Sequence, residues 1–109
     1  MKKPEVFDTE LQDLAEFARV ISHPARLAIL RFLAETESCI SGDISDQLPL
    51  SRTTVSQHLK ELRESGLIHG TTEGVKINYC ICGDSIKEKL ARFDDFFQKI
   101  GQHNYSCSN

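Results

Sequence analysis

The sequence predicts a mainly α chain with one small β-hairpin, an α+β class of about five helices plus a wing, built to pair with a second copy. Three observations lead there. Apolar residues recur at three- and four-residue intervals through most of the chain. Between Val75 and Cys82 that period changes to two. A length of 109 residues, 39% of them hydrophobic and 27% charged, suits one folded domain. The same figures argue against a multi-domain enzyme and against a chain disordered throughout.

A polar lead occupies residues 1–9. Leu11, Leu14, Phe17, Ala18 and Ile21 then share one face of a first helix from about Glu10 to Ser22. His23 and Pro24 interrupt it. Pro24 suits the first turn of a second helix, where its missing N–H has no partner to lose. Leu27, Leu30 and Leu33 form the inward stripe of that helix, which ends between Glu35 and Glu37. A third, short helix from about Ser41 to Gln47 takes Ser41 as N-cap and Asp43 near its positive end. Ile44 and Leu48 face inward, and Pro49 stops it.

The next start is the best marked. Ser51 is the N-cap of a fourth helix, and Leu50 before it packs on Val55 after it as a hydrophobic staple. Val55, Leu59 and Leu62 form the buried side, and Gly66 ends the helix in the left-handed conformation. Thr72-Glu73-Gly74 turns the chain into a strand on which Val75, Ile77, Tyr79 and Ile81 alternate with Lys76, Asn78, Cys80 and Cys82. Ser85 and Glu88 make a capping box for a fifth helix. Ile86, Leu90, Phe93, Phe97 and Ile100 run along it as a heptad seam. The domain proper spans residues 10–100, and the small polar residues 101–109 read as a flexible tail.

A short helix, a connection with Pro49, a helix with a polar outer face and then a hairpin form a winged helix-turn-helix. A DNA major groove about 12 Å wide admits one helix whose apolar side stays packed while polar side chains of its first turns reach base edges. The fourth helix meets both demands. Arg52 has the fork for guanine and Gln57 the amide for adenine, while Ser51, Thr53 and Thr54 offer hydroxyls and methyls. Ser56, His58 and Lys60, with Lys76 on the wing, suit phosphate or backbone contacts. The net charge is -3, yet the stretch 51–76 is the one net basic part, at +1.

The stripe on the fifth helix is too apolar for so small a domain to bury alone, which argues for a homodimer; its packing on the domain's own core is the alternative. Two-fold symmetry would set two copies of the fourth helix on successive major grooves, about 34–36 Å apart.

HPARLAILRFL, then DISDQLPLSRTTVSQHLKELRESGLI, then EGVKINYCI resemble the ArsR/SmtB family of winged-helix repressors over roughly residues 10–100. The stretch Leu50 to Ile68 carries most of the likeness, through Ser51, Thr54, Val55, Ser56, His58, Leu59, Leu62, Gly66 and Leu67. The resemblance implies a homodimer that binds an inverted repeat in operator DNA, represses transcription and lets go when an inducer binds. It also implies that Leu14, Phe17 and Ile21 of the first helix share the dimer seam with the fifth.

The family's effector sites do not carry over. Ile40 and Gly42 stand where the family's Cys-Val-Cys-Asp-Leu motif has its cysteines, with Cys39 one residue out of register. The fifth helix has no His for the family's zinc site, and Arg31 stands where the persulfide-sensing branch has a cysteine. Cys80 and Cys82 remain, two apart and therefore on one face of a strand, opposite the core. With Cys107 or Cys39 they would give a three-thiolate site for arsenite, antimonite or another thiophilic ion. A disulfide switch and incidental small residues are the other readings. His69 and His103 read as surface residues.

Nothing in the sequence suggests an enzyme: there is no glycine-rich phosphate loop and no nucleophile with a base at recognisable spacing. The longest apolar runs, such as Leu27 to Leu30, fall far short of the ~20 residues that span a bilayer. The start of the chain lacks the apolar stretch of a signal peptide, so the expected compartment is the cytoplasm, with its thiols reduced. The functional rival is a winged-helix protein–protein interaction module that never touches DNA.

Overall fold

The computed structural model describes residues 6–36, 40–41, 44–73 and 76–103. In chain order the elements are α1 (Thr9–Ile21), α2 (Pro24–Glu35), β1 (Ile40–Ser41), a 3-10 helix (Ile44–Gln47), α3 (Arg52–Glu64), β2 (Ile68–Glu73), β3 (Lys76–Ile81) and α4 (Gly83–Gly101). Thus α3 and α4 are the fourth and fifth helices expected from the sequence, and the third is a single 3-10 turn.

Each start and stop has a local cause. The Asp8 carboxylate accepts the Leu11 N–H at 2.9 Å and opens α1 one residue earlier than expected. His23 caps α2, its Nδ1 accepting the Ala25 N–H at 3.1 Å, with Pro24 just inside the helix. Ser51 caps α3: its Oγ accepts the Thr54 N–H at 3.2 Å and donates to Thr54 Oγ1 at 2.9 Å. At the other end Gly66 has φ +83°, Leu67 N–H reaches the Leu62 carbonyl, and Gly66 N–H reaches that of Arg63. This is the paired bonding of a Schellman stop.

The core gathers Phe17 and Val20 of α1, Ile29 and Leu33 of α2, Ile44, and Val55, Leu59 and Leu62 of α3, with Leu67 and Ile68 at the hairpin base. Val20, Ile29 and Leu62 are fully buried. At about 1.5–3 kcal/mol for each large aliphatic side chain taken out of water, this cluster supplies most of what holds α3 in place.

Four expectations are corrected. Ser41 does not cap a third helix; Ile40 and Ser41 pair antiparallel with Tyr79 and Asn78, making a three-stranded sheet in the order β1-β3-β2. With those residues taken by the open edge of β3 and Pro49 beyond, the helix that forms is a 3-10 turn of four residues, Ile44–Gln47. Asp43 lies outside the described residues.

The hairpin turn is shorter than expected. Thr72 and Glu73 are ladder residues, opposite Ile77 and Lys76, so the connection is positions 74 and 75, both outside the described residues. The Ser85–Glu88 capping box does not form, because α4 is already helical at Gly83, and Ile86 N–H bonds to the Cys82 carbonyl at 3.0 Å. Finally, the α2 stripe is centred on Ile29 and Leu33, while Leu27 is half exposed.

Gly66→Ala tests the stop of α3. A Cβ there would meet nothing closer than Ser85 Oγ at 3.7 Å, so the cost is conformational rather than steric. The left-handed backbone penalty predicts a loss of about 1–2 kcal/mol in urea unfolding. An unchanged midpoint would contradict the assignment.

Candidate nucleic-acid interface

The polar face of α3 lies opposite its buried edge. Ser51, Arg52, Thr53, Ser56, Gln57 and Lys60 are exposed, and Thr54 is half-buried. They gather on the first turns of a 13-residue helix, about 20 Å long, whose positive end coincides with the Ser51 cap. An anionic ligand approaching that end meets the helix dipole and the Arg52 guanidinium together. Hydroxyls, an amide and cations on one short convex surface suit hydrogen bonding to phosphates and base edges.

An ion-pair network steadies the far half of the helix. Arg19 of α1 bonds Glu16 through Nε at 3.0 Å and Nη2 at 2.7 Å, and Nη2 also reaches Glu61 of α3 at 2.9 Å. The Glu16 and Glu61 carboxylates hold the Arg19 guanidinium firmly in its charged form. The Arg19 hydrogen bond in turn keeps the Glu61 carboxyl below the usual carboxylate range. One acidic side chain of α3 is thereby neutralised towards α1, leaving the helix more basic than its formal charge.

His58 is the exception among the expected contacts. It is 8% exposed and turned inward, its Nδ1 accepting from Arg26 Nε at 3.1 Å, so it is withdrawn from the phosphate contacts. The reason was visible in the spacing: position 58 falls three after Val55 and four before Leu62, on the inward side of the helix. Arg26 and His23, which hold it, were not anticipated as parts of the site. Lys76 stands at the tip end of β3 opposite Glu73 in the ladder, and its side chain lies outside the described part of the structure.

The expected seam divides in two. Leu14 and Phe17 are buried in the chain's own core, and Ile21, Ile86 and Phe93 pack partly against it. Phe93 meets Phe17 edge-on at 5.7 Å. Leu90, Phe97 and Ile100 remain about half exposed along α4, with Leu11 of α1 also at the surface.

The thiols are also rearranged. Cys80 is disulfide-bonded, which removes it from a thiolate ligand set. Cys82 is half-buried rather than openly exposed, and among the described residues it is the free cysteine. Its Sγ lies 3.2 Å from Nδ1 of His69, a surface histidine that sits opposite Cys80 in the ladder. Positions 39 and 107 lie outside the described residues. His103, as expected, is exposed.

A helix-turn-helix domain family matches residues 21–71. An HTH-type transcriptional regulator of Methanocaldococcus jannaschii is 35% identical over 81 residues, 74% of this chain and 91% of that protein. The HTH-type transcriptional repressor SmtB of Mycobacterium tuberculosis is 35% identical over 71 residues, 64% of this chain and 52% of its own. Among solved structures, an ArsR-like transcriptional regulator from Rhodococcus superposes with a TM-score of 0.63 at 25% identity, covering 89% of this chain and 97% of its own. The homodimeric winged helix-turn-helix DNA-binding domain Mb0332 of Mycobacterium bovis shares the fold, with a TM-score of 0.61 at 23% identity, over 100% of this chain and 98% of its own. With α3 capped, backed by the core and followed by a hairpin wing, the chain belongs to the ArsR/SmtB family of winged helix-turn-helix transcriptional regulators.

Proposed function

We propose that the chain acts in the cytoplasm as a homodimeric repressor, reading an inverted repeat in operator DNA through two copies of α3. The observation that carries this is the separation of the two sides of α3, with Val55, Leu59 and Leu62 buried and Arg52, Thr53, Ser56, Gln57 and Lys60 exposed. Leu90, Phe97 and Ile100 supply the pairing surface, since an apolar stripe left in water costs about 25 cal/mol per Å² that a second copy recovers. Isologous pairing along α4 joins the two recognition helices in one two-fold assembly.

A fluorescently labelled duplex selected by the full-length protein from a random pool tests this reading. Its affinity should fall steeply with salt, because phosphate contacts release counterions. Arg52→Ala should cost about 1–3 kcal/mol on the selected duplex and little on unrelated DNA. Equal loss on both would make Arg52 a phosphate contact. Weak, salt-insensitive binding would favour a protein–protein interaction module instead.

For the release signal, thiol oxidation has the better support over capture of arsenite or antimonite, because Cys80 is already in a disulfide beside the Cys82–His69 pair. A dithiol reductant would open that disulfide to two thiols and become a cyclic disulfide itself. Affinity for the selected duplex should then differ several-fold between oxidised and reduced protein, and Cys80→Ser should abolish the difference. A reduced protein that responds only to arsenite would overturn this reading in favour of the metalloid.

A further inference from the structure

His58 lies on the recognition helix but faces the junction of α1 and α2. Its Nδ1 accepts from Arg26 Nε at 3.1 Å, and Arg26 Nη1 donates onward to the Val20 carbonyl at 3.2 Å. The His23 ring packs 4.4 Å from the His58 ring, tilted by 58°, while His23 Nδ1 accepts the Ala25 N–H. A guanidinium and a backbone amide can only donate. The His58 imidazole therefore presents a lone pair at Nδ1 to Arg26, with its single proton on Nε2.

This cluster is a clip between α3 and the connection from α1 to α2. Protonation of His58 would set an N–H against the Arg26 N–H and place a new cation beside the guanidinium. The titratable and charged groups facing His58 are His23 and Arg26 from the α2 side and Glu61 one turn along α3. Glu61 is the sole anion of the three, and Arg19 of α1 already engages it. Burial first, then His23 and Arg26, push His58 below the ordinary imidazole value, and Glu61 opposes them only in part. The clip is thus complete above about pH 6.5, and its contribution is lost as the pH falls below that value.

We propose that His58 is a proton-sensitive positioning residue: its protonation breaks the bond to Arg26, frees α3 from the α1 and α2 junction, and weakens DNA binding. The proposal rests on the DNA-binding reading above. Its sign sets it apart from a histidine that touches phosphate, which would bind DNA more tightly when protonated.

The test is the affinity of the full-length protein for the selected duplex between about pH 7.5 and 5.5 at constant ionic strength. The wild type should lose several-fold and at most about tenfold across that range, since one proton taken up below the ordinary imidazole value shifts affinity by no more than a factor of ten per pH unit. His58→Asn presents an acceptor oxygen to Arg26 that does not titrate, so its affinity should stay nearly level. Equal loss in both proteins, or tighter binding of the wild type in acid, would overturn the proposal. Should the variant fail to fold, NMR titration of the wild-type imidazoles decides. His58 should titrate below the ordinary value with α3 amides moving in step; titration at or above it with α3 unmoved would overturn the proposal. Absence of DNA binding at every pH would defeat the DNA-binding reading, and the imidazole titration would still settle whether the clip exists.

Discussion

Burial of one edge of α3 is the constraint on which the rest of the molecule depends. Val55, Leu59 and Leu62 pack among Ile29, Leu33, Leu67 and Ile68, so α2 forms the floor beneath the recognition helix and the hairpin base its far wall. A 13-residue helix of this composition is marginal alone in water. Tertiary packing holds it, and the same packing decides which side chains are left for a ligand. The Ser51 cap and the Gly66 stop set its length, and the Arg26–His58 bond and the Arg19–Glu61 ion pair set its rotation against α1 and α2. Both ties are made from elements outside the helix-turn-helix proper, so the polar face of α3 is held directly by residues of α1 and α2.

Local signals were legible in the sequence and distant ones were not. Ser51, Gly66 and the period-two run from Ile77 to Ile81 each act through bonds within a few residues, and each works as its type suggests. The pairing of Ile40 with Tyr79 and the tie between Arg19 and Glu61, 42 residues apart, depend on how separate elements meet. No short-range pattern marks them. His58 is a different case: its place on the apolar stripe could be counted from Val55 and Leu62. Its polar type invited a surface role because histidine at a recognition helix has two chemistries, and only the position of Arg26 selects between them.

The seam on α4 is likewise half legible. A heptad of apolar residues says that a face needs cover, but not how much of that cover is internal. Phe93 spends its ring on Phe17, whereas Leu90, Phe97 and Ile100 do not reach the core. The division follows from geometry, since a 19-residue helix about 28 Å long extends beyond the small core beneath it. What projects is the apolar surface that the proposed pairing with a second copy would cover.

The most direct measurement of the central claim is a backbone amide NMR titration of the full-length protein with the selected duplex. Amides of Ser51 to Gln57 and of the hairpin tip should shift on binding, while those along the Leu90, Phe97 and Ile100 stripe stay in place. Shifts confined to α1 and α4, with α3 silent, would contradict the account.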